Sequence, residues 1–458
     1  MSFYRPITWI LIGVLMSSLA VPIAQAAYDR PVSWSDMSTL DLSRVFKTRY
    51  ASNSNLLEPV LPDSALDLVL RDADGRVGPE FKIPDALKGP VSFWLRIYTE
   101  YTTQHLVLFD ETHPEVVYEV LDFRELYKKS RNLAAFEIVM KLRVKKKMAL
   151  YRAAFKNLAR GIKGKNTAEA ESRIIKALAH LDHKHPYATL SKNLRTQTGQ
   201  RDNLIKGLLA AETFFPKMEE IFRQVGAPIE LTRLALVESS FDLSAVSRTG
   251  ASGVWQFMPA TANTYMIVNS PENIDERLSP LKATVAAARL LKVNRSGLGN
   301  WPLAVTAYNH GMSGLTHLNK KARLAAERGE GFSSCNKKGR LGFAGRNYFS
   351  EFLAVLHAEA YRDVFYGESP LPVGSPIVYR QVKKNQTGAT IAKEENLSAQ
   401  EFQFYNPDIQ NLKAVLPHGF FVALPGHRDD LLGMIQQISP ANSRITRVRE
   451  ISMARPRK

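Results

Sequence analysis

One glutamate, Glu238, occupies a position on a predicted helix where an apolar residue would be expected. Pro228 suits the first helical position, and Leu231, Leu234 and Ala235 then recur at helical spacing. One more turn places Glu238 on the same apolar stripe. Desolvation disfavours a charged carboxylate, and this is how a glutamate is kept protonated near neutral pH for use as a general acid. The alternative is a glutamate at a helix end that backbone amides or an arginine satisfy.

Three sequence blocks surround this glutamate. Ser239 follows it directly, and a small-residue stretch at 247–253, here called the glycine loop, leads into the run 254–262. Residues 307–309 form an Ala-Tyr-Asn triplet. In this order the blocks resemble the lytic transglycosylase family, in its membrane-bound murein transglycosylase D subgroup. The family marks are a Glu-Ser pair closing a helix, a glycine loop before Trp-Gln-Phe-Met-Pro, and Ala-Tyr-Asn, and all are present without substitution. The resemblance extends from about Gln197 to about Tyr348, about a third of the chain.

The resemblance implies peptidoglycan cleavage that consumes no water. Breaking a glycosidic bond needs a proton donor to the leaving oxygen, and hydrolases normally add a second carboxylate. By resemblance, Glu238 protonates the oxygen between N-acetylmuramic acid and N-acetylglucosamine, while the substrate's acetamido group stabilises the developing charge. The same carboxylate then takes a proton from the muramoyl 6-hydroxyl, which closes onto the anomeric carbon as a 1,6-anhydro ring.

Other site residues are carried over from the family's motifs, position by position. Ser239 matches the serine that lies beside the sugar, and Tyr308 matches the tyrosine that holds the glutamate. Asn309 and Gln256 supply paired amide donors and acceptors that suit sugar hydroxyls and acetamido groups. These residues are therefore the predicted substrate contacts.

Apolar residues of the second block have two interpretations. Met258 and Trp255 could offer apolar surface to a pyranose face, and Met258 is included among the predicted substrate contacts. Large apolar residues are usually buried for packing, so a core position is the favoured alternative for Trp255, Phe257 and Met258.

A second carboxylate near the glutamate would instead make the protein a muramidase-type hydrolase of the same bond. Asp242 lies four residues after it, where the helix is expected to leave for a loop. Asp275 and Glu276 precede a new helix with Ser279 as N-cap and Pro280 in its first turn, so capping or structural use is expected there. A third hypothesis is a catalytically silent peptidoglycan-binding scaffold.

Residues 1–26 are typical of an export signal. A short positive segment, an apolar run at residues 7–19 and the small-residue site Ala24-Gln25-Ala26 follow one another. A retained membrane anchor is the alternative. No cysteine stands at the cleavage site, so no lipoprotein anchor is expected. The predicted location is the periplasm or cell envelope.

The chain has 458 residues and a formal net charge of +17. Basic stretches at 143–147 and 152–165 alternate with apolar residues, which predicts an amphipathic helix with a cationic face; a merely solvated face is the alternative. Export argues against nucleic acid as a partner. Peptidoglycan strands are the expected partner, peripheral membrane contact is an open alternative, and a monomer is expected.

Metal and thiol chemistry find no support in the sequence. Residues 72–75, Asp-Ala-Asp-Gly, lack the remaining calcium-loop ligands and the closing glutamate. The only cysteine, Cys335, lies in a polar stretch without a defined base, so no disulfide within the chain and no catalytic thiol are expected. Neither a cofactor nor a metal site is predicted.

The predicted fold class is mainly α, with a lysozyme-like helical catalytic domain, an N-terminal α/β accessory region and a small βααβ LysM-like C-terminal domain. In the accessory region, Ser92–Tyr98 and His105–Asp110 alternate as strands do, and the pattern becomes helical from about Asp122. The predicted divisions are a signal at 1–26, the accessory region at 27–195, the catalytic domain at 196–365, a linker at 366–376, the LysM-like module at 377–426 and a poorly ordered basic tail at 427–458.

The LysM resemblance rests on short matches through residues 383–425, including Thr387, the Asn-Leu-Ser turn at 396–398 and Asn-Pro-Asp at 406–408. Two positions depart from the family pattern: Asn385-Gln386 replaces the usual Gly-Asp, and Gly388 replaces a large apolar residue. The resemblance implies affinity for N-acetylglucosamine chains. A linked glycan-binding module would raise the effective substrate concentration at the catalytic domain.

Overall fold

The computed structural model describes residues 63–130, 132–179, 186–268, 270–316, 341–366, 376–426 and 429–438. The predicted export signal and Cys335 lie outside these ranges, as do most of the predicted linker and much of the predicted tail. Among the helices of the described ranges, none is both long enough and apolar enough to cross a membrane.

The described elements are mainly helical, as predicted. In chain order the first are α1 Asp63–Leu70, α2 Lys88–Thr99, β1 His105–Asp110, β2 Val117–Asp122, α3 Arg124–Lys129, α4 Leu133–Ala159, α5 Ala168–Leu178, α6 Tyr187–Leu190, β3 Leu194–Thr198, α7 Arg201–Ala211 and α8 Phe215–Val225. There follow α9 Leu234–Ser239, α10 Pro259–Ala262, α11 Pro280–Leu298, α12 Trp301–His310, α13 Met312–Thr316, α14 Phe343–Ala360, α15 Arg362–Tyr366, β4 Ile377–Gln381, β5 Gln386–Thr387, α16 Gly388–Glu394, α17 Ala399–Tyr405, β6 Val415–Leu416, β7 Phe421–Pro425 and α18 Leu431–Gln437. Four 3₁₀ turns lie at Pro79–Phe81, Asp85–Leu87, Ile229–Arg233 and Glu276–Leu278.

These elements form two compact units. The first contains the described residues of 63–203 and 309–361, and the second contains those of 204–308 and 362–438. The predicted domain limits differ from the limits of these two units. The prediction assigns 309–361 to the catalytic domain and places a linker before the carboxyl-terminal part. In the structure that part belongs to the same unit as 204–308.

The first unit contains a three-stranded antiparallel sheet in the order β2-β1-β3. The strand predicted at His105–Asp110 is confirmed as β1, whereas the strand predicted at Ser92–Tyr98 is wrong, because these residues lie in α2. Helix α2 is buried on several sides, including at Phe93, Trp94 and Leu95. A helix that is apolar almost all round contains an apparent period of two, and this misled the strand prediction.

In the second unit, helix α11 begins as its sequence predicts. The Ser279 side chain caps the first turn by accepting from the Lys282 amide, Pro280 occupies the first position, and Gly299 ends the helix with φ +95°. In the carboxyl-terminal part, β4 pairs antiparallel with β7, and helices α16 and α17 lie between these strands in the sequence. Helix α18 lies within the predicted basic tail and buries Leu431, Met434 and Ile435, so the expectation of poor order is wrong for that segment.

The carboxyl-terminal part of the second unit shares a hydrophobic core with the segment that precedes α11. Ile267 and Ile274 pack in one cluster with side chains of 378–424. Ile274 also forms an antiparallel bridge with Ile409, and the Asp275 amide donates to the Asp408 carbonyl at 2.9 Å. This part is therefore packed against the rest of its unit.

A buried charge cluster lies in this shared contact. Lys282 Nζ donates to Asp408 Oδ2 at 2.6 Å and lies 3.5 Å from Glu276 Oε1. It also lies 3.7 Å from the centre of the Phe420 ring. All three charged side chains are almost inaccessible to solvent. Burial raises the pKa of Asp408, and the neighbouring Lys282 charge opposes this effect.

Replacing Lys282 by Met should lower the free energy of unfolding by about 3–5 kcal/mol at neutral pH, because two buried carboxylates lose their cation. Since the folded-state pKa of Asp408 is raised, the folded state binds that proton more tightly than the unfolded chain does. The contribution of Asp408 to stability is therefore greatest at low pH and is lost as the pH rises through the folded-state pKa. The deficit of the variant should accordingly shrink at mildly acidic pH. Urea denaturation at the two pH values measures both effects.

Lys292→Met is the matched control, because Lys292 lies on the same helix but is exposed, with one solvent-accessible hydrogen bond to the Val225 carbonyl at 2.7 Å. Its effect should stay within about 0.5 kcal/mol. An equal effect of the two substitutions would contradict the assigned role of the buried cluster.

Candidate active site

Glu238 lies in the last turn of α9. The segment starts with the 3₁₀ turn Ile229–Arg233, so Pro228 precedes a 3₁₀ turn and not an α-helix, and α9 follows directly. Leu234, Ala235 and Leu236 are fully buried, whereas Glu238 is half-buried. The buried apolar residues therefore fix the position of α9, and the Glu238 carboxylate lies near the carboxyl end of this helix.

The chain turns sharply after α9. Ser240 and Phe241 have φ +50° and +57°, in the left-handed region that non-glycine residues rarely adopt. Phe241 is fully buried, with ring centroids 5.7 Å from Phe214 and 5.8 Å from Phe215. A Cβ at Gly207 would lie 2.3 Å from the Ser240 carbonyl oxygen, so only glycine allows α7 to pack against this turn. Aromatic packing and one glycine thus hold the unusual backbone.

The glycine loop after this turn is closed by its own backbone. Ser252 and Phe257 exchange two backbone hydrogen bonds, each 3.2 Å long. Gly250, Gly253 and Gln256 all have positive φ, at +87°, +74° and +47°. A left-handed glutamine is unusual, and it shows that the loop imposes the conformation of this residue.

The Arg277 side chain holds the backbone of the glycine loop through hydrogen bonds. Its guanidinium pairs with the Asp275 carboxylate through two hydrogen bonds of 2.9 and 2.7 Å, and both side chains are buried. The third guanidinium nitrogen donates to the carbonyls of Gly250 at 2.7 Å and Phe257 at 3.3 Å. A Cβ at Gly253 would lie 1.9 Å from the Arg277 carbonyl oxygen. The loop and the Arg277 segment can approach this closely only through a glycine.

Tyr308, on α12, contacts the segment that follows the glycine loop and is affected by the charge of Glu238. Its hydroxyl donates to the Trp255 carbonyl at 3.0 Å, and its ring contacts the Trp255 and Phe257 rings at about 6 Å between centroids. Burial, and then the charge of Glu238, raise the pKa of Tyr308 well above its ordinary value. Tyr308 therefore keeps its proton, lies within electrostatic range of the Glu238 carboxylate, and is positioned by the backbone of the loop.

Trp255 anchors the loop in the core. Its side chain is fully buried, its indole nitrogen donates to Thr284 Oγ1 on α11 at 2.8 Å, and its ring stacks on Phe222 with centroids 6.0 Å apart. Phe257 is also buried. The core alternative is thus confirmed for both aromatic residues, and Trp255 serves the site through its carbonyl.

Ser239 and Gln256 both bind the protein's own backbone. The Ser239 hydroxyl donates to the Val254 carbonyl at 3.0 Å, which ties the end of α9 to the loop. The Gln256 amide nitrogen donates to the carbonyls of Gly253 at 2.9 Å and Ala245 at 3.3 Å. The hydroxyl oxygen of Ser239 and the amide oxygen of Gln256 are then the atoms of these side chains that could accept a bond from a sugar.

Two predicted contacts lie at the surface. Met258 is 42% exposed directly after the loop, so the core alternative is wrong for it and its apolar side chain can meet a ligand. Asn309 is exposed beside Tyr308 in the sequence, at the residue where the first unit resumes. The structure thus brings Glu238, Ser239, Gln256 and Tyr308 together through one loop, and the role of Asn309 stays a prediction.

Three further carboxylates were candidates for a second catalytic group. Asp242 accepts from the backbone amide and hydroxyl of Ser244 at 2.9 and 2.7 Å, and burial raises its pKa. Asp275 is paired with the buried arginine, and it caps its 3₁₀ turn as predicted. Glu276 accepts from the Ile267 amide at 2.8 Å and belongs to the buried lysine cluster. All three thus have structural roles.

Sequence reasoning missed two features that build this site. Gly207 looks like an ordinary helix-interior glycine, and only its 2.3 Å approach to the next segment explains it. The contacts of Arg277 with Gly250 and Phe257 span 27 and 20 residues, so no local pattern could reveal them. The positive charge within the Asp-Glu-Arg turn was the available signal, and it could have suggested a clamp on carbonyl groups.

Part of the sequence is similar to known proteins. Residues 222–329 match the family described as Transglycosylase SLT domain. Over 104 residues, 22% of this chain, the sequence is 35% identical to membrane-bound lytic murein transglycosylase D of Escherichia coli strain K12, and equally to the protein of that name from Escherichia coli O6:H1. A protein of Alteromonas sp. strain M-1 named for tributyltin chloride resistance is 38% identical over 85 residues, which are 18% of this chain and 41% of that protein.

The matches are local. The chain spans 23% of the length of the two Escherichia coli relatives. The family match contains Glu238, the glycine loop, Tyr308 and Asn309. The predicted resemblance of this segment to lytic transglycosylases is therefore confirmed.

Two glycines of the loop provide a matched test of the Arg277 contact. Gly253→Ala should lower the free energy of unfolding by about 2–5 kcal/mol, because the new Cβ combines left-handed strain with a backbone clash. Gly250→Ala has the same left-handed strain, but its nearest neighbour is 4.0 Å away, so it should cost about 1–2 kcal/mol. Urea denaturation compares them, and equal losses would disprove the close-contact explanation.

Proposed function

We propose that this chain is a peptidoglycan lytic transglycosylase. It would cleave the β-1,4 bond between N-acetylmuramic acid and N-acetylglucosamine and leave a 1,6-anhydromuramic acid end. The observation that carries the proposal is the half-buried Glu238 beside the protonated Tyr308 hydroxyl, within a segment that matches a transglycosylase domain. The proposed enzyme is a lyase for glycosidic bonds and needs no cofactor.

Glu238 would act first as acid and then as base. It gives its proton to the glycosidic oxygen as the bond to the anomeric carbon breaks, and the substrate's acetamido group stabilises the positive charge that develops there. The ionised carboxylate then takes the proton of the muramoyl 6-hydroxyl, whose oxygen bonds to the anomeric carbon. The proton returns to Glu238, so the cycle balances without water.

The other residues would hold the sugar and the acid. Tyr308 keeps its proton at neutral pH and donates it to the Trp255 carbonyl, so its hydroxyl oxygen can accept from the protonated Glu238 carboxyl and orient it. Ser239 and Gln256 can accept bonds from sugar hydroxyl and acetamido groups while their hydrogens remain on the loop carbonyls. Met258 offers exposed apolar surface to a pyranose face, and Asn309 is proposed as an amide contact on the same helix as Tyr308.

Two alternatives remain for the same site. A muramidase-type hydrolase would need a second carboxylate, and the structural roles of Asp242, Asp275 and Glu276 argue against these three. A silent peptidoglycan-binding scaffold would keep the fold without catalysis. The Glu238–Tyr308 arrangement is unnecessary for binding alone, and it favours the enzyme.

The carboxyl-terminal part is proposed to be a LysM-like glycan-binding module at 377–426. Its described elements run β4, β5, α16, α17, β6, β7, with β4 paired to β7 and β5 paired to β6. The departure at Gly388 has a packing explanation, because a Cβ there would lie 3.1 Å from Leu412 and 3.2 Å from Phe402. These side chains occupy the space that a larger residue would need. The module would bind glycan from a position fixed on the catalytic unit.

The proposed location is the cell envelope. The signal-like residues 1–26 support export, and the named function of the Escherichia coli relatives concerns murein. Peptidoglycan strands are the proposed partner, with the net charge of +17 favouring attraction to an anionic envelope. The chain is proposed to act as a monomer without nucleic acid.

Glu238→Gln should reduce release of muropeptides from purified sacculi by about 10²–10⁴-fold, because the amide cannot transfer the proton. Mass spectrometry of the wild-type products should show ends lighter by one water than reducing ends. Co-sedimentation with sacculi should be unchanged by the substitution. Asp242→Asn is the control and should retain activity, since Asp242 serves a turn.

Each other outcome selects an alternative. Reducing ends in the wild-type products would favour the hydrolase. Binding to sacculi without any product from the wild-type chain would favour the scaffold. Full activity of the Glu238 variant would refute the assigned general acid.

Tyr308→Phe should lower kcat by about tenfold or more while leaving KM within about twofold, because the lost hydroxyl positions the acid and not the sugar. Steady-state kinetics on soluble glycan strands measure the two constants separately. Tyr265→Phe is the control, since Tyr265 is a buried tyrosine of the same unit outside the proposed site. A change in KM alone would assign Tyr308 to substrate binding.

A further inference from the structure

Helix α4 has one packed face and one solvent face. Asn132 caps it by accepting from the Ala135 amide at 2.9 Å, and it then continues for 27 residues. The packed face buries Phe136 in one cluster of the first unit and Tyr151 with Phe155 in another. The opposite face is exposed along the whole helix.

This exposed face carries large apolar side chains. Ile138 is 60% exposed and Leu142 is 56% exposed, one turn apart on the same line of the helix. Val139, at 37%, lies on the flank of this line. Tyr127, on the preceding helix α3, is 45% exposed, but its ring packs edge-on against Phe136 of the packed face. Three of the described exposed large apolar residues thus occur within five positions, and we call Ile138, Val139 and Leu142 the α4 patch.

Exposed basic side chains lie before, within and after the α4 patch in the sequence: Lys128, Lys129, Lys141, Arg143, Lys145 and Lys146. Two carboxylates lie nearby, Glu125 paired with Lys128 and Glu137 paired with Lys141. Lys145 continues the line of Ile138 and Leu142 at the next turn, so the apolar and cationic groups share one face. Residues 133–159 carry seven basic and one acidic side chain, an excess of six positive charges.

We propose that the α4 patch docks this protein on an anionic phospholipid surface. A helix in a membrane interface places aliphatic and aromatic side chains at the acyl boundary, while lysines and arginines contact anionic headgroups. A soluble polyanion would attract the same cations but would offer no apolar phase to Ile138 and Leu142. The combination on one face therefore favours lipid, and this binding is independent of the proposed catalytic activity.

Sedimentation with vesicles tests the proposal directly. The wild-type chain should bind vesicles of phosphatidylglycerol and phosphatidylcholine, and bind phosphatidylcholine alone far more weakly. Ile138→Ser with Leu142→Ser should reduce the affinity for anionic vesicles about tenfold or more, because the inserted apolar area is lost. All variants carry the same amino terminus, so any contribution of the apolar run at 7–19 is common to them.

Charge variants test the second half of the patch. Lys145→Gln with Lys146→Gln should weaken binding about 25-fold at low ionic strength, about fivefold per cation. The matched controls replace exposed residues outside the patch: Ile175→Ser with Val293→Ser, and Lys176→Gln with Lys192→Gln. Each control pair should bind as the wild type does, and circular dichroism checks that every variant is folded.

Several results would overturn the proposal. Equal losses in patch and control variants would show non-specific attraction. Undiminished binding by the Ile138 and Leu142 variant, together with competition by soluble polyphosphate, would assign the face to a soluble polyanion. Equal binding to neutral and anionic vesicles would remove the role of the cations. Sacculus cleavage measured in parallel is expected to be unchanged, and it keeps this test separate from that of the proposed function.

Discussion

The Arg277 guanidinium is the contact on which the geometry of the proposed site depends. Two of its nitrogens are taken by Asp275, and the third donates to the carbonyls of Gly250 in the glycine loop and of Phe257 just after it. A buried guanidinium needs its partners, so the loop carbonyls cannot move away without exposing an unsatisfied charge to the core. The fixed loop presents the Trp255 carbonyl to Tyr308, and Tyr308 then lies where it feels the Glu238 charge. The position of the phenol within electrostatic range of the acid therefore depends in part on the Arg277–Asp275 ion pair.

The same short segment connects the site to the carboxyl-terminal part. Ile274 bridges Ile409, the Asp275 amide donates to Asp408, and Lys282 closes the contact with a buried ion pair. Removing one partner of such a pair costs much more than the pair itself contributes, so the arrangement is specific even if its net energy is small. A glycan-binding module in this position would act by fixed placement, and the effective-concentration argument for a flexible linker would not apply.

The polar residues of the proposed site serve the fold, besides the substrate contacts proposed for them. The Ser239 hydroxyl and the Gln256 amide nitrogen bind loop carbonyls, and these bonds hold the loop in its left-handed conformation. Their role toward a sugar is then that of acceptors. Substitutions at these positions would disturb the loop and the sugar contacts together, whereas Glu238 lies at a helix end where a change of charge leaves the backbone bonds intact.

The sequence alone determined many of the local elements and the family resemblance of the segment around Glu238, because capping residues, helical spacing and short motifs act over a few positions. The Ser279 cap, the β1 strand and the transglycosylase resemblance could all be read in this way. Tertiary structure decided what depends on contacts distant in sequence. Residues 92–98 form a helix that is buried on several sides, and Met258 is exposed and not part of the core. The Lys282–Asp408 pair lies where the carboxyl-terminal part packs against the rest of its unit. These outcomes could not be predicted, since a residue's environment is set by partners tens of positions away, and no local pattern records which partners will meet.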